Sequence, residues 1–147
     1  MRGARPFFLG FFFVSALLIG ATLFLFHADA DTNRANIAFL REYGWEVEEK
    51  PEEIVHLSIP DTASPGYTAF RDAALPSGFD LTPYQGVAAT RYSYRVKNHE
   101  AAATSVIRAN VFVGKDGIIA ANLCELAPNG FLRSIGDKTG QIPVNAP

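Results

Sequence analysis

Cysteine is nearly absent: Cys124 is the one thiol in 147 residues, and Met1 and Trp45 are equally solitary of their kind. A single thiol cannot close a disulfide within the chain, so a disulfide scaffold is excluded even in a compartment that would permit one. Cys124 follows no membrane-type run and has apolar neighbours, which predicts a buried, inert thiol and no lipid acceptor. Histidine is scarce too. The three histidines, His27, His56 and His99, lack the four-residue spacing with which two imidazoles on one helix face reach a metal, and they are expected at the surface.

Other signatures are missing. No Gly-x-Ser-x-Gly elbow, no Ser-x-x-Lys and no phosphate-cradling Gly-x-x-x-x-Gly-Lys occurs. Neither a cofactor nor a metal is therefore expected. From residue 31 onward there are 11 Lys and Arg against 14 Asp and Glu, a balance that argues against nucleic-acid binding. The charge is uneven: residues 31–80 carry 4 bases and 10 acids, whereas residues 81–147 carry 7 bases and 4 acids. Glu46, Glu48, Glu49, Glu52 and Glu53 crowd one stretch and read as a solvated edge rather than a catalytic carboxylate pair.

Long uncharged runs occur once. Residues 7–26 are 20 consecutive uncharged residues rich in Phe and Leu. At the helical rise they span about 30 Å, the hydrocarbon thickness of a bilayer. Arg2 and Arg5 precede the run and Asp29 and Asp31 follow it, so the sequence predicts a single-pass segment with the N-terminus cytoplasmic and the remaining chain outside. The expected domains are thus a cytoplasmic tip and signal anchor over residues 1–30, an extracytoplasmic domain over 31–136, and a disordered tail over 137–147. Ala28-Asp29-Ala30 has the small-x-small form of a peptidase site, which leaves secretion after cleavage at Ala30 as the alternative, but the run exceeds the length of a typical cleavable core. Ala16 and Gly20, four apart, could mark a helix-pairing face.

Beyond the anchor, hydrophobic spacing predicts a helix over 32–43, capped by Asp31 or Thr32 and stopped by Gly44. Two strands follow, at 45–48 and 54–59, the second ended by Pro60. A short helix over 67–75 and an ordered loop over 78–86 lead to a strand over 87–96, where Tyr92, Tyr94 and Val96 alternate with Arg91, Ser93 and Arg95. Strands at 106–113 and 118–126 flank Asp116-Gly117, a strong hairpin signal. A last short element falls near 129–132. The fold class expected is α+β: an antiparallel sheet of about five strands with two helices on one face.

The ordered run Phe39-Leu40, Tyr43-Gly44-Trp45-Glu46-Val47, Ile59-Pro60, Gly78-Phe79-Asp80-Leu81, Tyr84-Gln85-Gly86, Arg91-Tyr92-Ser93-Tyr94 and Gly130-Phe131-Leu132 resembles the bacterial family called domain of unknown function 4830, over residues 34–135. The resemblance implies a small membrane-anchored domain in Gram-positive, clostridia-like bacteria. It supplies no activity, cofactor or catalytic residue. Residues 68–78 depart from the family pattern in being Ala-rich.

One candidate surface emerges. Arg91, Arg95 and Lys97 are expected beside Arg108, with Phe112 on the same side, as a face for an anionic envelope partner: a cell-wall polyanion, a lipid headgroup or an acidic protein. Opposed to this is simple neutralisation of those bases by Glu46 and Glu48 as cross-strand pairs. Asp80, with Phe79 and Tyr84, is expected to close its own loop. The functional expectation is a non-enzymatic binding or assembly module tethered to the membrane, with a small envelope hydrolase of scattered catalytic residues as the alternative.

Overall fold

Val111 and Phe112 are consecutive in the chain and both are buried. Side chains of a strand alternate between faces, so their strand must be covered on both sides. The computed structural model, which describes residues 30–144, shows how. Residues 30–42 are helical (α1), and five strands follow: β1 (Glu53–Ser58), β2 (Ala88–Arg95), β3 (Ile107–Gly114), β4 (Gly117–Glu125) and β5 (Leu132–Ser134). A second helix, α2 (Tyr67–Ala74), lies between β1 and β2. All neighbours pair antiparallel in the order β1-β2-β3-β4-β5, an uninterrupted meander.

The contacts divide the chain into residues 1–35 and 36–147. Of the first unit, the described residues include an ion pair between Asp31 and Arg34. Both Asp31 and Thr32 lie inside the helix, which is already formed at residue 30, so neither is its cap. The predicted anchor at residues 7–26 lies outside the described residues. Among the described residues no helix is long and apolar enough to cross a membrane.

In the second unit the register separates two cores. Tyr92, Tyr94, Ala109, Val111, Ala121 and Leu123 share one face of the sheet, where Leu40 of α1, Trp45 and Ile135 pack on them. Ala89, Phe112 and Ala120 share the other, beneath Phe70 and Ala74 of α2 together with Ile59 and Leu81. The two helices thus cover opposite faces, correcting the expectation that both lie on one. The reason is legible in β3: a strand apolar at Ile107, Ala109 and Val111 and again at Phe112 needs cover on both sides. Tyr94 is wholly buried; its hydroxyl accepts from Asn36 Nδ2 at 3.1 Å, and burial pushes it up to about 12.

The Asp-Gly hairpin forms as expected, with β3 and β4 joined through Lys115 and Asp116. A bulge between Phe112 and Val113 places Ile118 opposite Val113 and Ala120 opposite Phe112, so Ile119 is the extra residue. Ile118 consequently packs in the first core and Ile119 in the second. The strand expected at 45–48 is reduced to a single bridge, Val47 with Val96. Helix α2 is eight residues long, too short to persist by itself, and it depends on the packing of Phe70 against Phe112 at 4.7 Å between ring centroids.

Within the tail expected at residues 137–147, residues 140–142 bond to the body of the domain. Glu100 N–H donates to Gly140 O at 2.8 Å and Ile142 N–H to Asn98 O at 2.9 Å, while Gln141 Nε2 donates to Tyr43 O at 3.1 Å. Lys138 Nζ lies over the rings of Trp45 and Tyr43, at 5.7 and 5.9 Å. The polar composition of this strap hides its role, because its bonds are made largely by the backbone.

Candidate functional site

Arg91 and Arg95 on β2 and Arg108 on β3 do come together, on the face that α2 covers in part; Arg95 and Arg108 are direct cross-strand neighbours. The acids that meet them are Glu52 and Glu53, not Glu46 and Glu48. Glu52 takes Arg95 Nε at 2.6 Å on one oxygen and Arg108 Nε at 3.0 Å on the other. One oxygen of Glu53 takes Arg91 Nη2 at 2.7 Å and Arg108 Nη1 at 3.4 Å.

Two consecutive residues of a strand ordinarily point to opposite faces. Here Glu52 N–H donates to Ser93 O at 2.8 Å while Glu53 is itself the pairing partner of Ser93, so two residues oppose one. Such a bulge turns both carboxylates to the arginine face. The arginines hold Glu52 below the ordinary carboxylate range: the Arg95 hydrogen bond contributes most, burial opposes it, and Arg108 adds to it. Glu52 is therefore a poor proton donor at neutral pH. Three guanidinium groups against two carboxylates leave a single excess positive charge, and exposed pairs of this kind stabilise by about 0–1 kcal/mol each.

Beside the ion pairs runs a row of amides. Ser93 Oγ donates to Asn110 Oδ1 at 2.7 Å, and Asn110 Nδ2 donates to Asn122 Oδ1 at 2.9 Å and to Cys124 Sγ at 3.4 Å. Ser93, Asn110 and Asn122 are all buried, with Asn122 only 2% exposed. Arg91 Nε is buried with no partner among the described residues. Sequence reading singled out neither asparagine, because an isolated Asn in an apolar strand carries no periodic signal.

The remaining sequence candidates fall elsewhere. Among the described residues Lys97 makes no ion pair; it borders a recess of about 120 Å³ with Ile37, Arg41 and Trp45. Phe112 shares the arginine face but is 6% exposed, since α2 closes over it, so it presents no surface to a partner. Cys124 is half-buried rather than buried, because β5, which flanks it, is three residues long. Asp80 is exposed and accepts Thr82 N–H at 2.9 Å, closing its own turn; hydrogen bonding from Thr82, first by its side chain and then by its backbone N–H, holds the carboxyl below the usual range. Phe79 packs against both cores and Tyr84 against the second, as staples of that loop.

His27 lies outside the described residues. His56 is exposed on β1, with Nδ1 3.0 Å from Thr90 Oγ1. His99 is not a surface residue. It is 5% exposed and stacks on Trp45, with Phe131 also beside it. Its Nδ1 accepts Ala101 N–H at 3.1 Å, capping the short 3-10 turn Glu100–Ala103. Flanking polar residues concealed this, because the cover over His99 comes from Gly140 and Phe131, far along the chain.

A groove of about 550 Å³ lies between α2 and the end of the sheet, lined by Ala69, Ala73 and Pro76 on one side and Leu132, Ser134 and Asp137 on the other. The alanines of α2 leave this space open. Among the described residues no three His, Cys, Asp or Glu side chains are grouped so as to hold a metal ion.

Fold and face together define a small α+β domain: a five-stranded antiparallel meander with one helix on each side and an arginine-glutamate lattice on one half-face. The model of the family described as domain of unknown function DUF4830 matches residues 39–123, and the chain belongs to that family. Neither the curated proteins nor the solved structures contain a match to it.

Proposed function

We propose that the protein is a membrane-tethered extracytoplasmic module that binds or assembles with another envelope component. The observation that carries this reading is the uncharged run of residues 7–26, preceded by Arg2 and Arg5 and followed by acids. The geometry of the folded unit favours binding over hydrolysis. Asp80 is spent on its own turn, His56 stands exposed beside Thr90, and Glu52 is held ionised by arginines, whereas a glycosidase-type pair needs one carboxyl kept protonated.

The arginine face is a weaker partner surface than its sequence suggests. An envelope polyanion or an acidic protein surface would meet three arginines already engaged by two glutamates. A protein partner held by shape and backbone pairing fits the exposed edges of the sheet better.

The tether is tested on the full-length chain in bacterial cells. With Cys124→Ser and Val144→Cys, a membrane-impermeant maleimide should label intact cells and the protein should remain with the membrane fraction after a salt wash. Label that appears only after lysis reverses the topology, and release into the medium supports cleavage at Ala30. For the face, Arg91, Arg95 and Arg108 are reversed to Glu together; an unchanged set of co-purified envelope components sinks the basic-face version.

A further inference from the structure

The two edges of the sheet are treated differently. β5 is three residues long, and the Ser134 carbonyl at its end is taken by Asp137 N–H at 3.0 Å. β1 is six residues long, runs in unbroken register from Glu53 to Ser58, and holds no proline or lysine between Pro51 and Pro60. Among the described residues no strand pairs with its outer side. Short length, lysine and proline are among the features by which natural sheets blunt an edge; β1 has none of these, and the bulge at Glu52 and Glu53 touches only its first residue.

The hydrogen-bond parity of β1 is set by Ile59 N–H, which donates to Val87 O at 2.9 Å. Bonded pairs alternate along an antiparallel ladder, so Leu57, Val55 and Glu53 turn their backbone groups toward β2. Ile54, His56 and Ser58 therefore turn theirs outward. Their side chains lie on the α1 face of the sheet but are exposed, Ile54 by 51%.

We propose that this edge pairs with the same edge of a second copy, antiparallel about a two-fold axis that passes through His56. Outward-facing residues must oppose outward-facing residues. A single register engages all three: Ile54 opposite Ser58, His56 opposite His56, and Ser58 opposite Ile54. A shift one way recruits Glu52, whose N–H is already given to Ser93; a shift the other way recruits Pro60, which has no N–H. The pairing forms about six backbone hydrogen bonds, two for each directly opposed pair.

The same register is self-complementary in its side chains. On the α2 face Val55 of one copy lies opposite Leu57 of the other, and both are half-buried residues that gain apolar cover. Glu53 lies opposite Ile59, so no carboxylate opposes another. A foreign extended peptide would find the same backbone groups, but self-pairing also covers Val55 and Leu57 without opposing two carboxylates. This inference rests on the edge alone and is independent of the tether.

The test uses the full-length chain in detergent micelles with Cys124→Ser as background. Across a bonded antiparallel pair the Cα atoms are about 5.5 Å apart, within disulfide reach. His56→Cys should cross-link to itself on mild oxidation, whereas Leu132→Cys on the opposite edge should not. Ile54→Cys should cross-link strongly when mixed with Ser58→Cys and only weakly alone, which reads the register. His56→Pro removes an outward N–H while leaving the β2 ladder intact, so circular dichroism should be unchanged and the dimer should weaken by at least about tenfold in sedimentation. A dimer indifferent to His56→Pro, equal cross-linking by Leu132→Cys, or no cross-link through His56→Cys would each overturn the proposal.

Discussion

The indole Nε1 of Trp45 donates to the carbonyl of Ile135 at 2.8 Å, joining residues 90 apart in the chain, both of them buried. Trp45 follows α1 and Ile135 follows β5, so the bond ties the first and last elements of the folded unit over one face of the sheet. His99 and Lys138 pack on the same indole.

Trp45→Phe keeps much of the apolar volume and leaves the Ile135 carbonyl unsatisfied in the core. The expected cost is about 1–3 kcal/mol. Trp45→Ala adds a cavity and should cost about 3–5 kcal/mol. Urea denaturation followed by circular dichroism distinguishes the two; equal stability of Trp45→Phe and the parent would show that the bond contributes nothing.

Asn110 and Asn122 should behave as one unit. Asn110→Ala strands Asn122 Oδ1 and the Ser93 hydroxyl in a buried site, at about 1–3 kcal/mol. Adding Asn122→Ala should cost less than its single substitution, with a coupling of about 0.5–3 kcal/mol in a double-mutant cycle. Strict additivity would argue that water replaces the lost partner at no cost.

The acid limb of stability should depend on Glu52. Its carboxyl is lowered in the folded protein, first by the Arg95 hydrogen bond, so its contribution is full above the ordinary carboxylate value near 4.3 and is lost as pH falls through the lowered folded value. Glu52→Gln should destabilise by no more than about 1 kcal/mol at pH 7, because the group is solvent-screened, and should flatten the decline below pH ~4.3. Parallel acid limbs for the two proteins would contradict this. High salt should shrink the difference.

Gly140 has φ +78°, and a Cβ there would stand 2.5 Å from His99 Nε2. Gly140→Ala therefore combines a left-handed backbone with a clash against a buried ring. It should destabilise by more than the ~1 kcal/mol that the backbone conformation alone costs. His99→Ala removes the obstacle, so in that background the added cost of Gly140→Ala should fall toward the backbone value. A cost that stays the same in both backgrounds would place the strain wholly in the backbone.

Local chemistry determined much of this protein. The alternation from Ala88 to Arg95 declared β2, Asp116-Gly117 declared the hairpin, and Pro60 marked the end of β1 where expected. The polar rows placed Arg91, Arg95 and Arg108 on one face correctly, because side-chain alternation is a property of the strand itself.

Tertiary structure decided what covers each face. Helix α2 goes beneath Phe112 and α1 beneath Tyr94, on opposite sides, since both faces of β3 are apolar and each needs its own cover. The partners of the arginines turned on a two-against-one pairing at Ser93, which brings Glu52 and Glu53 to a single face against the alternation that local sequence predicts. The burial of His99 came from Gly140 and Phe131, more than thirty residues away in the chain. Periodicity is read from neighbours in sequence, whereas bulges, cover and ion-pair choice are set by contacts between distant segments, and there the sequence alone is silent.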